Sequence, residues 1–358
     1  MSPTVIPFGP QHPVLLEPLQ LQLKTEDEIV VEATPALGYV HRGLERLVDR
    51  RDARQMLQVV ERVCGICSMI HSLIYCQAIE ELQAVAVPPR ARFLRVIWSE
   101  LHRLQSHLLW LGLFADAMGF ESLFMQLWKI REKILDINEA TAGNRIILSV
   151  CVIGGVRRDL DSDQARTLAA ALGEVTGEIR GLEGVILNDR TVRKRTCGKG
   201  VLSPARAREL GCVGPTLRGS GISEDLRQLG YAAYGELDFE PVVERGGDCH
   251  ARCAVRYRET LQSVDLIAQA LAGLPAGEIS VGVKGQPEGE IVARAEQPRG
   301  ECLYYLRADG SAHLARLRIR TPTFANLPAL LALLPGHELA DVPVVLSSID
   351  PCVSCTER

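Results

Sequence analysis

Two Cys-x-x-Cys pairs stand far apart in the chain: "ERVCGICSMIH" carries Cys64 and Cys67, and "SSIDPCVSCTER" carries Cys352 and Cys355. Within such a pair both sulfurs can face one point, and two pairs together make a four-thiolate cage suited to a soft or borderline metal. A zinc ribbon places its two pairs about 15–20 residues apart, whereas here most of the chain lies between them. A local knuckle is therefore disfavoured, and the site must be closed by the fold. On residue type alone, zinc and an iron–sulfur cluster stay open as occupants. Cys76, Cys151, Cys197, Cys212, Cys249, Cys253 and Cys302 complete the set of 11, and most of them are expected to be small core residues.

The elements that must bring the pairs together can be traced from periodicity. "PLQLQLKTEDEIVVEA" alternates around Thr25-Glu26-Asp27-Glu28 and predicts a β-hairpin in about residues 1–35. From "GYVHRGLERLVDRRDARQMLQVVERV" through "PRARFLRVIWSELHRLQSHLLWLGLF", apolar residues recur every three or four positions, so helices are expected to dominate to about residue 190. "RDLDSDQARTLAAALGEVTGEIRGLEGVI" predicts a further helix capped by Asp161 or Ser162. Glycine-rich 195–222 predicts an ordered loop with short helical pieces, and "GPTLRGS" within it is expected to face a neighbouring subunit. It lacks the lysine of a phosphate loop, with Gly219 before the serine. A helix over 248–274 and strands in about 280–322, turning at Asp309-Gly310, complete the pattern. The expected architecture is mainly α with small β elements, an α+β chain read as one domain over 1–358: a central helical bundle with N- and C-terminal β additions.

Composition fits that picture. The 358 residues are 47% hydrophobic and 23% charged, enough to bury a sizeable core and wrong for disorder. A net charge of -4 gives no general reason for binding nucleic acid. The most apolar stretch, "HLLWLGLFADAMGF", is interrupted by Asp116 and falls short of the roughly 20 residues of a membrane span. "MSPTVIPFGPQHPVLLEP" lacks a charged and apolar leader, so the chain is expected to begin inside the cell. There thiols stay reduced and disulfides are not expected.

The motifs "RVCGICSMIH" and "DPCVSC", with "GPQHP", "HRGLE", "GPTLRGSGISEDLR" and "QPRG" in support, give the chain a family likeness. Over nearly its whole length it resembles the large, catalytic subunit of nickel–iron hydrogenases, in the membrane-bound, energy-converting (Ech-like) group related to the complex I 49-kDa subunit. The complex I relative lacks the cysteine pairs, so the resemblance points to the hydrogenase side.

Carried to this sequence, the resemblance implies that Cys64 and Cys352 are terminal nickel thiolates. Cys67 and Cys355 would bridge nickel to an iron bearing CO and cyanide. Glu17 matches a proton-relay carboxylate that would take over a proton first held at Cys355. Arg299 matches the guanidinium over the open metal position, with Asp350 orienting it. His71 matches a histidine that donates to a bridging sulfur, and Thr323 a hydroxyl donor to a cyanide. Glu45 matches a carboxylate that helps hold a third ion, magnesium or iron. Those relatives carry a histidine three residues after the last cysteine, where this chain has Arg358, and a guanidinium cannot ligate a metal. A chain stopping at Arg358 is expected to be a mature or naturally short form.

The implied activity is reversible interconversion of dihydrogen with protons and electrons. Implied partners are a small subunit with a [4Fe–4S] cluster, ferredoxin-type carriers and integral membrane subunits, with this chain peripheral on the cytoplasmic face of the membrane. The alternatives are a non-catalytic, quinone-site or scaffold subunit of a complex I-like assembly whose cysteines hold a structural metal, and a hydrogenase-like protein acting on another substrate.

Overall fold

The computed structural model describes residues 3–358. It opens with an antiparallel three-stranded sheet of β1 (Thr4–Phe8), β2 (Gln20–Glu26) and β3 (Ile29–Ala36), in the order β1-β2-β3. The β2–β3 hairpin turns at Asp27-Glu28, as alternation predicts, with Asp27 in the left-handed region at φ 53°. It buries Leu21, Leu23, Thr25 and Val30.

A 3-10 turn (Leu44–Asp49) and short α1 (Met56–Glu61) lead to α2 (Ser68–Leu82), α3 (Pro89–Ala117) and α4 (Glu121–Ala142). The segment before Met56 departs from the helical expectation. Gly43 sits in the left-handed region at φ 64°, which breaks a helix, and the Glu45 carboxylate binds Arg318 and the Ile319 N–H instead. α3 is the bundle's axis, packed on α4 and on the helix over 249–272. Pro88 and Pro89 start it, which suits a ring with no N–H to lose. From Phe93 to Gly112 it is buried on every side, so its charged residues need partners inside the protein: Arg95 pairs with Glu80, and Arg103 with Glu100.

A two-stranded hairpin, β4 (Cys151–Val152) and β5 (Gly155–Val156), interrupts the expected helical run. α5 (Ser162–Gly181) follows, with Asp161 and Gln164 forming a capping box. The glycine-rich stretch contains α6 (Arg190–Thr196), α7 (Pro204–Glu209) and α8 (Gly214–Arg218). α8 is buried throughout rather than turned outward, correcting the expectation that "GPTLRGS" faces a neighbour. Arg218 draws it in, pairing with Asp225, Glu259 and Glu296.

α9 (Cys249–Ala272) returns along α3, capped by Asp248. A second antiparallel sheet, β6 (Glu288–Gln297), β7 (Gly300–Asp309) and β8 (Leu314–Arg320), runs in the order β6-β7-β8. It packs on α2 and the 3-10 turn. α10 (Pro322–Leu333), α11 (Val342–Ser348) and α12 (Val353–Glu357) complete the described residues. Among those residues no helix is long and apolar enough to cross a membrane.

Candidate metal centre

The fold closes the two cysteine pairs on one another. Cys67 stands at the N-terminus of α2 and Cys352 at that of α12. Cys67 Sγ lies 3.2 Å from Cys355 Sγ, and Cys64 Sγ lies 3.3 Å from Cys352 Sγ. The sulfurs of Cys64, Cys67 and Cys355 all fall within 4.8 Å of one another. These gaps exceed the roughly 2.05 Å of a disulfide, and all four residues are buried free thiols. Backbone N–H groups of Ile66 and Cys355 point at Cys64 Sγ (3.3 Å) and Cys352 Sγ (3.4 Å).

Protons in this cluster are unevenly held. Hydrogen bonds from Cys352, Cys355 and Cys67 lower the Cys64 pKa well below a thiol's ordinary value. Burial pushes Cys67 and Cys355 well above it, and bonding to Cys355 raises Cys352. Four buried sulfurs repel one another as thiolates unless a cation joins them. The donor set therefore fits a soft transition metal, which would supply that charge. Arg299 is the guanidinium beside the sulfurs. Burial pulls its pKa down, but Asp350, Cys352, Cys64 and Cys67 outweigh that and keep it charged.

Arg299 stands in the turn between β6 and β7, only 2% exposed. Its Nη2 donates to Asp350 Oδ1 at 2.7 Å and its Nε to the Asp350 carbonyl at 3.0 Å. Gly214 packs against this turn: at φ 66°, a Cβ there would lie 2.3 Å from the Arg299 carbonyl oxygen. Any side chain would push the turn, and with it the guanidinium, away from the sulfurs.

His71, on the first turns of α2, has Nε2 3.5 Å from Cys355 Sγ and Nδ1 2.6 Å from the Tyr304 hydroxyl. Burial lowers its pKa to about 4, so it is neutral. With a thiolate at Cys355, Nε2–H must face the sulfur and Tyr304 must donate to Nδ1. Gln297 Nε2 lies 3.1 Å from the same Nε2; with that nitrogen protonated two donors would meet, so the Gln297 amide must turn its otherwise unpartnered oxygen toward the ring.

Glu17, in the connection from β1 to β2, accepts from Ser354 N at 2.8 Å and from the Ser354 hydroxyl. It thus meets the residue before Cys355. Thr323 Oγ1 accepts from Cys352 N at 3.1 Å, which holds that cysteine and leaves the hydroxyl proton free. Glu45 stands apart, engaged by Arg318, Arg358 and the Ile319 N–H.

Several contributors went unassigned in the sequence. Arg42 donates to the carbonyls of Arg62 (3.1 Å), Val63 (3.0 Å) and Ser354 (2.7 Å), stapling both cysteine loops together. Thr321 Oγ1 donates to the Cys355 carbonyl at 3.0 Å. Tyr304 and Gln297 hold His71. Arg42 and Gln297 lie inside "HRGLE" and "QPRG", so those motifs held the signal, whereas Tyr304 and Thr321 carried none.

The model of the "Respiratory-chain NADH dehydrogenase, 49 Kd subunit" family matches residues 117–286 and 281–358. That of "Nickel-dependent hydrogenase" matches residues 42–114. The chain is 41% identical to the carbon monoxide-induced hydrogenase of Rhodospirillum rubrum, covering 100% of both. It is 39% identical to the membrane-bound hydrogenase subunit alpha of Pyrococcus furiosus, over 99% of this chain and 87% of that one. A solved chain of an archaeal membrane-bound sulfane sulfur reductase superposes with a TM-score of 0.95 at 31% identity, covering 100% of this chain and 99% of that chain.

Proposed function

The chain belongs to the family of membrane-bound nickel–iron hydrogenase large subunits and their complex I 49-kDa relatives, and from that premise we propose that it is the catalytic subunit of a hydrogenase. The observation that carries the reading is the convergence of four buried thiols, with sulfur contacts of 3.2 and 3.3 Å between pairs. Cys64, Cys67, Cys352 and Cys355 would hold a centre of nickel and iron, the iron carrying CO and cyanide. When bound, such a centre supplies the heterolytic splitting of dihydrogen and its reverse.

The chain's own residues do the rest. Cys355 Sγ holds the proton first, and the His71 N–H directed at that sulfur sets its basicity. Glu17, anchored on Ser354, carries the proton away from Cys355 toward solvent. Arg299, fixed by Asp350, keeps a positive charge over the sulfurs in a water-poor pocket. Thr323 fixes Cys352 and keeps a hydroxyl proton to donate to a cyanide.

The relatives belong to membrane-bound hydrogenase or respiratory complexes. We infer by analogy a peripheral subunit on the cytoplasmic side of the membrane. Its partners would be integral membrane subunits, a small subunit with a [4Fe–4S] cluster and ferredoxin-type carriers that take the two electrons.

A complex I-like scaffold reading, with a structural metal at the cysteines, is favoured by one observation, the 49-kDa match over 117–286 and 281–358. Metal analysis separates the two: nickel with iron supports the hydrogenase, zinc alone the scaffold. Hydrogen uptake with a viologen dye then tests whether a loaded centre acts on dihydrogen or on another substrate.

A further inference from the structure

The family resemblance places a third ion, magnesium or iron, against Glu45, and the residues of this chain do not fit it. Both Glu45 oxygens are taken: Oε1 accepts from Ile319 N at 2.9 Å and Arg358 Nε at 3.0 Å, and Oε2 from Arg318 Nη1 at 2.6 Å. Two guanidiniums on one carboxylate leave a net positive charge where a dication would have to enter. Arg316 adds a further cation to the cleft around it, while Arg46 and Asp49, 3.4 Å apart, offset one another there. The neighbouring carboxylate offers no alternative ligand. Glu357 Oε1 accepts from Gly38 N and its Oε2 from Val40 N, each at 2.6 Å, while His41 Nδ1 lies 2.5 Å from the Glu357 carbonyl oxygen. Magnesium asks for near-octahedral oxygen coordination, and every oxygen of both carboxylates is already turned to a protein N–H donor.

We propose that Arg318 and Arg358 stand in place of the third ion, forming a metal-free latch. The latch joins three elements: the 3-10 turn through Glu45, β8 through Arg318 and Ile319, and the end of α12 through Arg358. Arg358 also lies over the Phe324 ring, its Cζ 5.4 Å from the ring centre. With Glu357 bound to the Gly38–Val40 backbone, the latch fixes the turn that carries Cys352 and Cys355 without any divalent cation. Arg358, Arg318 and Glu45 are thus positioning residues for the thiol centre. The inference is independent of hydrogen turnover.

The test uses Mn2+ as probe, titrated into the full chain after EDTA treatment and followed by electron paramagnetic resonance of the free ion. Wild type and Glu45→Gln are expected to behave alike, with no Glu45-dependent uptake, and EDTA should leave the wild-type melting temperature unchanged. Arg358→His removes one guanidinium and supplies a ligand. It should take up about one Mn2+ per chain and gain thermal stability from it, and Arg358→His with Glu45→Gln should lose that uptake. Arg358→Lys retains the charge and should exclude Mn2+ as wild type does. Uptake of one Mn2+ by wild type, abolished by Glu45→Gln, would overturn the latch, and so would a folded Arg358→His chain that binds none. If the histidine variant does not fold, the comparison of wild type with Glu45→Gln decides alone.

Discussion

Replacing Glu17 with glutamine separates positioning from proton transfer. The carboxylate accepts two hydrogen bonds from Ser354, one from N at 2.8 Å and one from the hydroxyl. The amide keeps one oxygen in nearly the same place, so the connection from β1 to β2 stays where it is. A hydrogen bond to a charged group contributes about 1.5–3 kcal/mol and one between neutral groups about 0.5–1.5 kcal/mol, so the structural loss is about 1–2 kcal/mol. Glu17 is only half-buried, which favours the lower end. General acid–base transfer contributes about 10²–10⁴-fold in rate, equivalent to about 3–5 kcal/mol of barrier. Glu17→Gln should therefore retain its metals and most of its stability while losing that factor in hydrogen turnover. The assays are viologen-coupled hydrogen uptake, exchange of D2 with water protons, and metal content of the same preparation. Uptake within about threefold of wild type, with metals retained, would remove Glu17 from the proton path.

Cys355→Ser should lose both nickel and activity, since a hydroxyl is not deprotonated at neutral pH and is a poor ligand for a soft metal; nickel content measured beside circular dichroism tells metal loss from unfolding. Asp350→Asn should lower the unfolding free energy by about 3–5 kcal/mol, because Arg299 at 2.7 Å and Arg256 at 4.0 Å would be left buried without their counter-charge. Asparagine tolerates the φ of 58° at this position, so a loss below about 1 kcal/mol in urea denaturation would show that the pair matters little. Burial holds His102 and His107 down at about 4, neutral in the fold while the unfolded chain protonates near 6.5. Each then costs stability as pH falls from about 6.5 toward 4, up to about 3 kcal/mol apiece. Glu296, raised by burial to about 7, has the opposite sign, losing stability as pH rises through that value. The two histidines outweigh it. Urea midpoints should therefore drop between pH 6.5 and 5, and His107→Gln should flatten that slope by about one proton; midpoints constant or rising toward pH 5 would contradict the assignment.

The thiol centre was legible in the sequence as two pairs of the right residue type. Their meeting was not, because 288 positions separate Cys67 from Cys355 and no local pattern encodes so distant a contact. The hairpins β2–β3 and β7–β8 were readable because each buries one face and alternates. The segment before α1 misled for a physical reason: Leu44, Leu47 and Val48 keep helical spacing, yet Gly43 breaks the backbone and Glu45 is spent on β8. Hydrophobic pattern also cannot reveal buried charge. Arg218, Arg227, Glu100 and Glu259 look like surface residues in the sequence, but they pair wholly inside the protein. For the same reason the pattern of α8 resembles an outward loop, although Gly214 and Arg218 make it the support of the Arg299 turn.

Metal analysis with infrared spectroscopy, on protein purified anaerobically, tests the central claim most directly. The four-thiol site predicts nickel and iron near one each per chain, after subtraction of any co-purified iron–sulfur clusters, together with CO and cyanide stretches. Zinc alone, without those bands, would contradict it and leave the cysteines as a structural site in a complex I-like scaffold.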